Sequence, residues 1–230
     1  MDDINAILDG NYGKNGPNMT VERIADRLDV QEATAWLSDK LGIEPIIVQN
    51  VIEVTEAGLY VVGKARVDSI VLSEEAPQGA EYHEAWHRVS QLLISDRKRK
   101  QILKRYMKKG MDEKQADEML AEEYRSFMLY ASSKKDGLFK FDFDSKNWFR
   151  RVFDFTRLWI RTGQYGLAKV MYYTSIGKYK GLQPSKENVD RFKKIYPSGS
   201  NMMVNGVTLK SITTEKQLDD IVKSLLYAFF

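Results

Sequence analysis

Cysteine is absent from the 230-residue chain. Disulfide bonds and metal sites built on thiolates are therefore excluded, and a reducing compartment or a particle interior suits such a chain better than secretion. The first residues lack a basic region followed by an apolar run, and no stretch approaches the roughly 20 apolar residues that a membrane span needs. We therefore expect a cytoplasmic or particle-associated protein that is not secreted and has no membrane partner.

Histidine is almost as rare, since the chain has only two. Both lie in residues 82–88, YHEAWHR, which contain the pattern HExxH. Residues four apart lie one turn above each other on the same face of an α-helix, so His83 and His87 can face a single ion. Glu84 lies beside that ion without binding it, where it can take a proton from a water on the metal. The pattern predicts the zinc site of a hydrolase.

An alternative interpretation treats the pattern as a coincidence, in which an exposed amphipathic helix carries two surface histidines. The chain after the motif speaks against this, because apolar residues continue at the spacing of a helix that lies on a core. These residues are Val89, Leu92, Leu93 and Ile94. We therefore favour a metal site.

A third ligand is needed, because a catalytic zinc ion usually takes three protein ligands and leaves a fourth position for water. The chain has no third histidine, so this ligand must be a carboxylate. Glu118 is the candidate, on a helix that Asp112 is predicted to cap. Glu122, one turn later, could accept the free N–H of a ligating histidine and orient it. Glu123 and Glu113 stay open as alternative ligands.

Between Pro45 and Leu72 the pattern changes to short β-branched runs separated by turn residues, which predicts a small antiparallel sheet. We expect an α+β, zincin-like fold in which this sheet packs on the HExxH helix and on the helix that carries the third ligand. The strand just before the HExxH helix could be the edge that pairs with an extended peptide. A strand that simply covers the helix is an equally good interpretation.

Composition divides the chain into four parts. The first is a flexible arm rich in Gly and Asn, the second holds the motif, and the third is a helical, aromatic and basic extension packed on the second. The last begins with a linker over residues 197–200 and continues with a hairpin around Asn205-Gly206 and a terminal helix. The predicted boundaries are residues 1–18, 19–133, 134–196 and 197–230.

Large apolar residues recur at helical spacing in the third part, at Trp148, Val152, Phe155 and Trp159. This spacing favours a face that packs against the rest of the protein. A platform that stacks nucleic-acid bases and a helix that lies on a membrane surface are the alternatives.

The net charge of +3 hides an asymmetry along the chain. Residues 1–95 carry 7 Lys and Arg against 16 Asp and Glu, whereas residues 96–230 carry 28 against 16. The basic part could attract nucleic acid or another polyanion. Solvated helix faces are the commoner cause of such an excess, so nucleic acid is not the favoured partner.

The order of motifs resembles the gluzincin metallopeptidases, in which HExxH is followed by a helix with ExxxD or ExxAD. Here HEAWH is followed by ExxAE, so Glu122 is one methylene longer than the usual Asp. The resemblance implies that Glu118 binds zinc and that Glu122 supports a histidine. Leu72-Ser73, YHEAWHRV and LAEEYRSFM together resemble the minigluzincin-like domain in virion polyproteins of crAss-like and related bacteriophages, over residues 30–196.

This resemblance implies a phage-encoded, virion-associated or cytoplasmic zinc endopeptidase that processes structural or injected proteins. Its partners would be a polypeptide substrate and other virion proteins. Two other functions stay open. One is a structural or injected protein that the zinc ion only stabilises, and the other is a virion protein that binds nucleic acid.

The mechanism also needs a donor for the developing oxyanion, and no histidine is left to provide it. Tyr124, Tyr130 and Tyr165 are candidates among which the sequence does not choose. The acidic N-terminal arm and the C-terminal tail add a regulatory hypothesis, in which one of them occupies the cleft and is cleaved in cis.

Overall fold

The computed structural model describes residues 27–133, 141–142 and 145–204. Over these ranges the chain forms an α+β fold with a small mixed sheet, which confirms the predicted class. The predicted arm, the second hairpin strand and the terminal helix lie outside the described residues. Within the described ranges no helix is both long enough and apolar enough to cross a membrane.

The sheet has five strands, of which β4 lies between β1 and β3, while β3 also pairs with β2 and β5. The prediction of a purely antiparallel sheet is wrong, because β1 runs parallel to β4. Residues 49–52 carry the chain from β1 to β2 without reversing its direction. The strands are β1 Ile46–Val48, β2 Glu53–Val54, β3 Tyr60–Ala65, β4 Ile70–Ser73 and β5 Met202–Val204.

The strand just before the HExxH helix is not a free edge. β4 pairs with β1 on one side and with β3 on the other, so the prediction that this strand offers an edge to a peptide is wrong. β3 contacts the HExxH helix, and its edge away from β4 pairs with β5.

Seven helices are present in the described ranges, and a π-helical segment over Arg88–Leu93 continues the second of them. Local capping fixes two helix ends: Gly42 ends the first helix with φ 69°, and Asp112, the predicted cap of the fourth helix, exchanges hydrogen bonds with Gln115. The helices are α1 Val30–Leu41, α2 Ala80–His87, α3 Asp96–Met107, α4 Glu113–Ser133, α5 Trp148–Thr162, α6 Tyr165–Ser175 and α7 Lys186–Ile195.

The core surrounds α2, the HExxH helix, which packs between α4 on one side and β3 on the other. The buried side chains come from the helices and from the sheet. Each large apolar one contributes about 1.5–3 kcal/mol to the free energy of folding when it is fully buried. Among them are Leu37, Leu72, Trp86, Leu120, Phe127 and Leu167. Burial on all sides fixes the rotation of α2 and with it the direction of its polar side chains.

The α5 helix buries only part of the apolar side that was predicted to pack, since Phe155 is half-buried against the core. Asp154 and Leu158 are buried, whereas Trp148, Val152 and Trp159 are exposed, so the prediction of a packing face at these three residues is wrong. The physical reason is an ion-paired anchor: the Asp154 carboxylate accepts hydrogen bonds from the Arg150 guanidinium and from a backbone N–H of the extension. The anchored polar side turns the aromatic side outward.

Candidate metal centre

Both histidines lie inside the protein, on α2. The exposed fraction is 5% for His83 and 0% for His87, so the interpretation as two surface histidines is wrong. Gly79 begins the helix with φ 85°, and a Cβ at this position would lie 3.1 Å from side-chain atoms of Arg125 and Leu129. Glycine thus lets the start of α2 approach α4 closely.

Glu118 on α4 completes a cluster of three ligand atoms. His83 Nε2 and His87 Nε2 are 3.1 Å apart, and Glu118 Oε2 lies 3.3 Å from each of them. These are the three side chains among the described residues that converge closely enough to hold a metal ion. The His-His-Glu group could therefore bind one metal ion.

The two alternative ligands point elsewhere. Glu123 accepts a hydrogen bond from the Tyr106 hydroxyl at 2.8 Å, and Glu113 pairs with the buried Arg99 guanidinium. Neither carboxylate belongs to the cluster. Of the three carboxylates considered as the third ligand, Glu118 is the one that lies against both histidines.

Glu122 lies close to His83, the histidine nearest to its carboxylate, but His83 Nδ1 neither accepts nor donates a hydrogen bond among the described residues. Glu122 Oε2 is 3.5 Å from His83 Nδ1, the ring nitrogen that points away from the cluster. The Arg125 guanidinium donates to Glu122 Oε1 at 2.7 Å and also donates to the Gln78 carbonyl. Glu122 is thus held in place between the histidine and an arginine that is itself fixed.

Asp117 supports the other histidine, and sequence reasoning missed it. Its Oδ2 is 2.7 Å from His87 Nδ1 and accepts from the Tyr196 hydroxyl at 3.0 Å. Its Oδ1 accepts from the Trp86 indole N–H at 3.2 Å and from the Ser90 hydroxyl at 2.8 Å. The sequence offered only one signal, a carboxylate directly before Glu118 on a helix that is rich in acidic residues.

The tyrosine at the site is Tyr196, and not one of the three that the sequence suggested. Its ring centroid lies 5.4 Å from that of His87, and burial raises the pKa of its hydroxyl far above the usual value. The Tyr124 hydroxyl lies 3.2 Å from Ser175 Oγ, Tyr130 packs against the Arg161 guanidinium, and Tyr165 is half exposed on α6. The three predicted donors therefore have other surroundings.

Glu84 is fully buried between α2 and β3. Its Oε2 accepts a hydrogen bond from the Ser200 hydroxyl at 2.6 Å, whereas its Oε1 has no hydrogen-bond partner among the described residues. A Cβ at Gly63 would lie 2.8 Å from Glu84 Oε1, so glycine on β3 makes room for this carboxylate. The close neighbour Glu84 also contributes to raising the pKa of His83.

The cluster carries an excess of negative charge. Burial lowers the pKa of His83, but the Glu118 and Glu122 carboxylates outweigh burial and raise that pKa to about 9. Burial acts in the same direction on His87, and Glu118 and Asp117 raise its pKa well above the usual value. Conversely, burial raises the pKa of Glu118, but the imidazoles outweigh it and lower that pKa below its usual range. The site favours positive charge, which protons or a metal cation can supply.

Comparisons of the chain with models of protein families, with curated proteins and with solved structures found no match. The resemblance to gluzincins and to phage domains therefore stays a prediction from the HExxH and ExxAE motifs. The functional inference depends on the geometry of the His-His-Glu group and its neighbours.

Proposed function

We propose that the protein is a zinc-dependent endopeptidase of the gluzincin type. The observation that carries the proposal is the spacing of 3.1, 3.3 and 3.3 Å among His83 Nε2, His87 Nε2 and Glu118 Oε2, with Glu84 buried beside them. Zinc ligands at 2.0–2.1 Å in a tetrahedron lie about 3.4 Å from one another. Three protein ligands leave a fourth position for water or substrate, which is the arrangement of catalytic rather than structural zinc.

Zinc bound by these three residues supplies Lewis acidity, which polarises a carbonyl and makes a water nucleophilic near neutral pH. Glu84 acts as the general base: its carboxylate takes a proton from the attacking water and delivers it to the nitrogen of the leaving amine. Asp117 holds His87 through a hydrogen bond to Nδ1, and Glu122 lies 3.5 Å from His83 Nδ1, so both carboxylates favour the orientation that leaves Nε2 free for the metal. The buried position of Glu84 keeps bulk water away from this proton transfer.

A polypeptide is the substrate class that the surroundings of Glu84 support best. Gly63 on β3 lies against the Glu84 carboxylate, so an extended chain paired with β3 would pass beside the base. The gluzincin resemblance points to the same substrate class. Its phage branch extends the proposal to virion proteins as the polypeptides that are processed.

The test measures zinc content and hydrolysis of an unfolded protein substrate together. We expect one equivalent of zinc in the wild type and in Glu84→Gln, and loss of zinc in Glu118→Ala. Turnover should fall by about 10²-fold or more in Glu84→Gln, because the general base is lost while the metal stays. Glu123→Gln is the matched control, a carboxylate on the same helix that should change neither quantity.

Two results would contradict the proposal. Zinc bound equally by wild type and Glu118→Ala would remove Glu118 as a ligand. Equal turnover by wild type and Glu84→Gln would show that the hydrolysis does not come from this site.

A further inference from the structure

The edge of β3 that passes Glu84 is already occupied by a segment of the same chain. β5 pairs antiparallel with β3, with Tyr60 opposite Val204 and Gly63 opposite Met202, and the register shifts between Val61 and Gly63. Met202 is buried, and a Cβ at Gly63 would lie 3.2 Å from its Cβ. The position in which an extended substrate would pair with β3 is therefore filled by β5.

Ser200, just before β5, is tied to both the strand and the general base. Its backbone N–H donates to the Ala65 carbonyl at 2.9 Å, and the Ala65 N–H donates to Ser200 Oγ at 2.9 Å. The same hydroxyl donates to Glu84 Oε2 at 2.6 Å. Ser200 is fully buried, so the predicted linker over residues 197–200 is wrong at this residue. The hydroxyl occupies one of the two oxygens of the proposed base and fixes the orientation of its carboxylate.

Gly199 allows this close approach. It has φ 95°, and a Cβ there would lie 2.7 Å from the Ala65 carbonyl oxygen. A residue with a side chain would push the segment away from β3. The segment from Gly199 to Val204 is thus fitted to β3 by backbone shape as well as by hydrogen bonds.

The chain just upstream of the segment is anchored to the domain by side-chain hydrogen bonds. Upstream, the Asn188 amide donates to the Leu92 and Ile94 carbonyls, and the Tyr196 hydroxyl donates to Asp117. Pro197 and Ser198 between the anchor and the segment are exposed. A hinge at these two residues would release Gly199–Val204 while α7 stays in place.

We propose that residues 199–204 form an autoinhibitory latch, an inference that rests on the proposed peptidase function. In the closed state the latch occupies the peptide-binding edge of β3 and holds Glu84 through Ser200. In the open state β3 and the Glu84 carboxylate are free for a peptide and a water. The protein is therefore latent toward polypeptides until the latch is displaced.

Met203→Pro opens the latch in the test, and Met203→Ala is its matched control. The Met203 side chain is 42% exposed, so both changes remove little core, but proline has no N–H and disrupts pairing with β3. Gly199→Val is a second opening variant. Gly181→Val is its control, since Gly181 also has positive φ but has open space around its Cβ position.

Two measurements report on the latch without relying on turnover. The first is hydrogen exchange of the zinc-free proteins, in which residues 60–65 should exchange at least about tenfold faster in the opening variants, with residues 70–73 unchanged. The second measures how tightly acetohydroxamate and a tetrapeptide hydroxamate bind to the zinc-loaded proteins. The peptide hydroxamate should bind about tenfold or more tighter to the opening variants than to wild type and controls, and acetohydroxamate equally to all.

The outcomes separate the two proposals. If wild type, opening variants and controls all bound acetohydroxamate equally and also bound the peptide hydroxamate equally, the latch would be overturned and the metal site would be retained. Unchanged exchange at residues 60–65 in both opening variants would overturn it as well. Absence of zinc and of acetohydroxamate binding in every protein would overturn the peptidase proposal and the latch with it.

Discussion

At the scale of single residues, four carboxylates surround two imidazoles, and each has a distinct environment. Glu118 faces both Nε2 atoms, Glu122 and Asp117 each lie against one Nδ1, and Glu84 lies toward β3. This division leaves both Nε2 atoms for a metal. Carboxylates gathered around the same two imidazoles repel one another unless positive charge lies between them.

Asp117 gives the sharpest residue-scale prediction. Asp117→Asn replaces one carboxylate oxygen by an NH2 group, which must face donors in either orientation: the Trp86 and Ser90 side chains, or His87 Nδ1 and the Tyr196 hydroxyl. The lost charge and the mismatch weaken the orientation of His87. We expect zinc affinity to fall by about 10–100-fold. Competition with a fluorescent zinc chelator measures the zinc affinity. Glu123→Gln is the control, which should keep wild-type affinity. Wild-type affinity in a folded Asp117→Asn protein would mean that Asp117 does not act on the metal through His87.

Spacing along the sequence can identify site residues that lie on one face of the same helix. His83 and His87 are four apart, as are Glu118 and Glu122, and helical geometry places each pair on one face. The contacts that were missed join distant positions: Asp117 meets His87 across 30 residues, and Ser200 meets Glu84 across 116. Tertiary packing decides such contacts, and neither Asp117 nor Ser200 carries a local pattern that reports it.

At the scale of elements, α5 shows why a periodic pattern is not enough. The spacing of its aromatic residues correctly indicated one apolar side of a helix, but periodicity does not say whether that side is covered. The buried side is held by Asp154 with Arg150 and by Leu158. The direction of β1 escaped prediction for a related reason, since nothing in a three-residue strand specifies whether its neighbour runs parallel or antiparallel.

The orientation of α5 can be tested with two apolar residues two positions apart. Leu158 is fully buried, whereas Ile160 is 75% exposed. Leu158→Ala should lower the free energy of unfolding by about 2–5 kcal/mol, because it leaves a cavity. Ile160→Ala should change it by about 0.5 kcal/mol or less, as is usual for exposed positions. Urea denaturation measures both, and the reverse order would show that the aromatic side packs inward.

At the scale of the whole molecule, the sheet, the HExxH helix and α4 converge on one buried centre. The predicted α+β class and the Asp112 cap of α4 followed from patterns of propensity and capping in the sequence. The position of β5 did not, because its pairing with β3 joins segments about 140 residues apart. The same fold brings together the proposed base, the proposed ligands and the segment that contacts the base through Ser200.

The central claim is that His83, His87 and Glu118 hold one zinc ion and leave Glu84 free of it. X-ray absorption at the zinc edge, on wild type and Glu84→Gln loaded with one equivalent, tests this most directly. We predict about four N/O ligands at 2.0–2.1 Å, two of them imidazoles, with the same spectrum in both proteins. A shell without imidazole, or one that changes when Glu84 is replaced, would contradict the account.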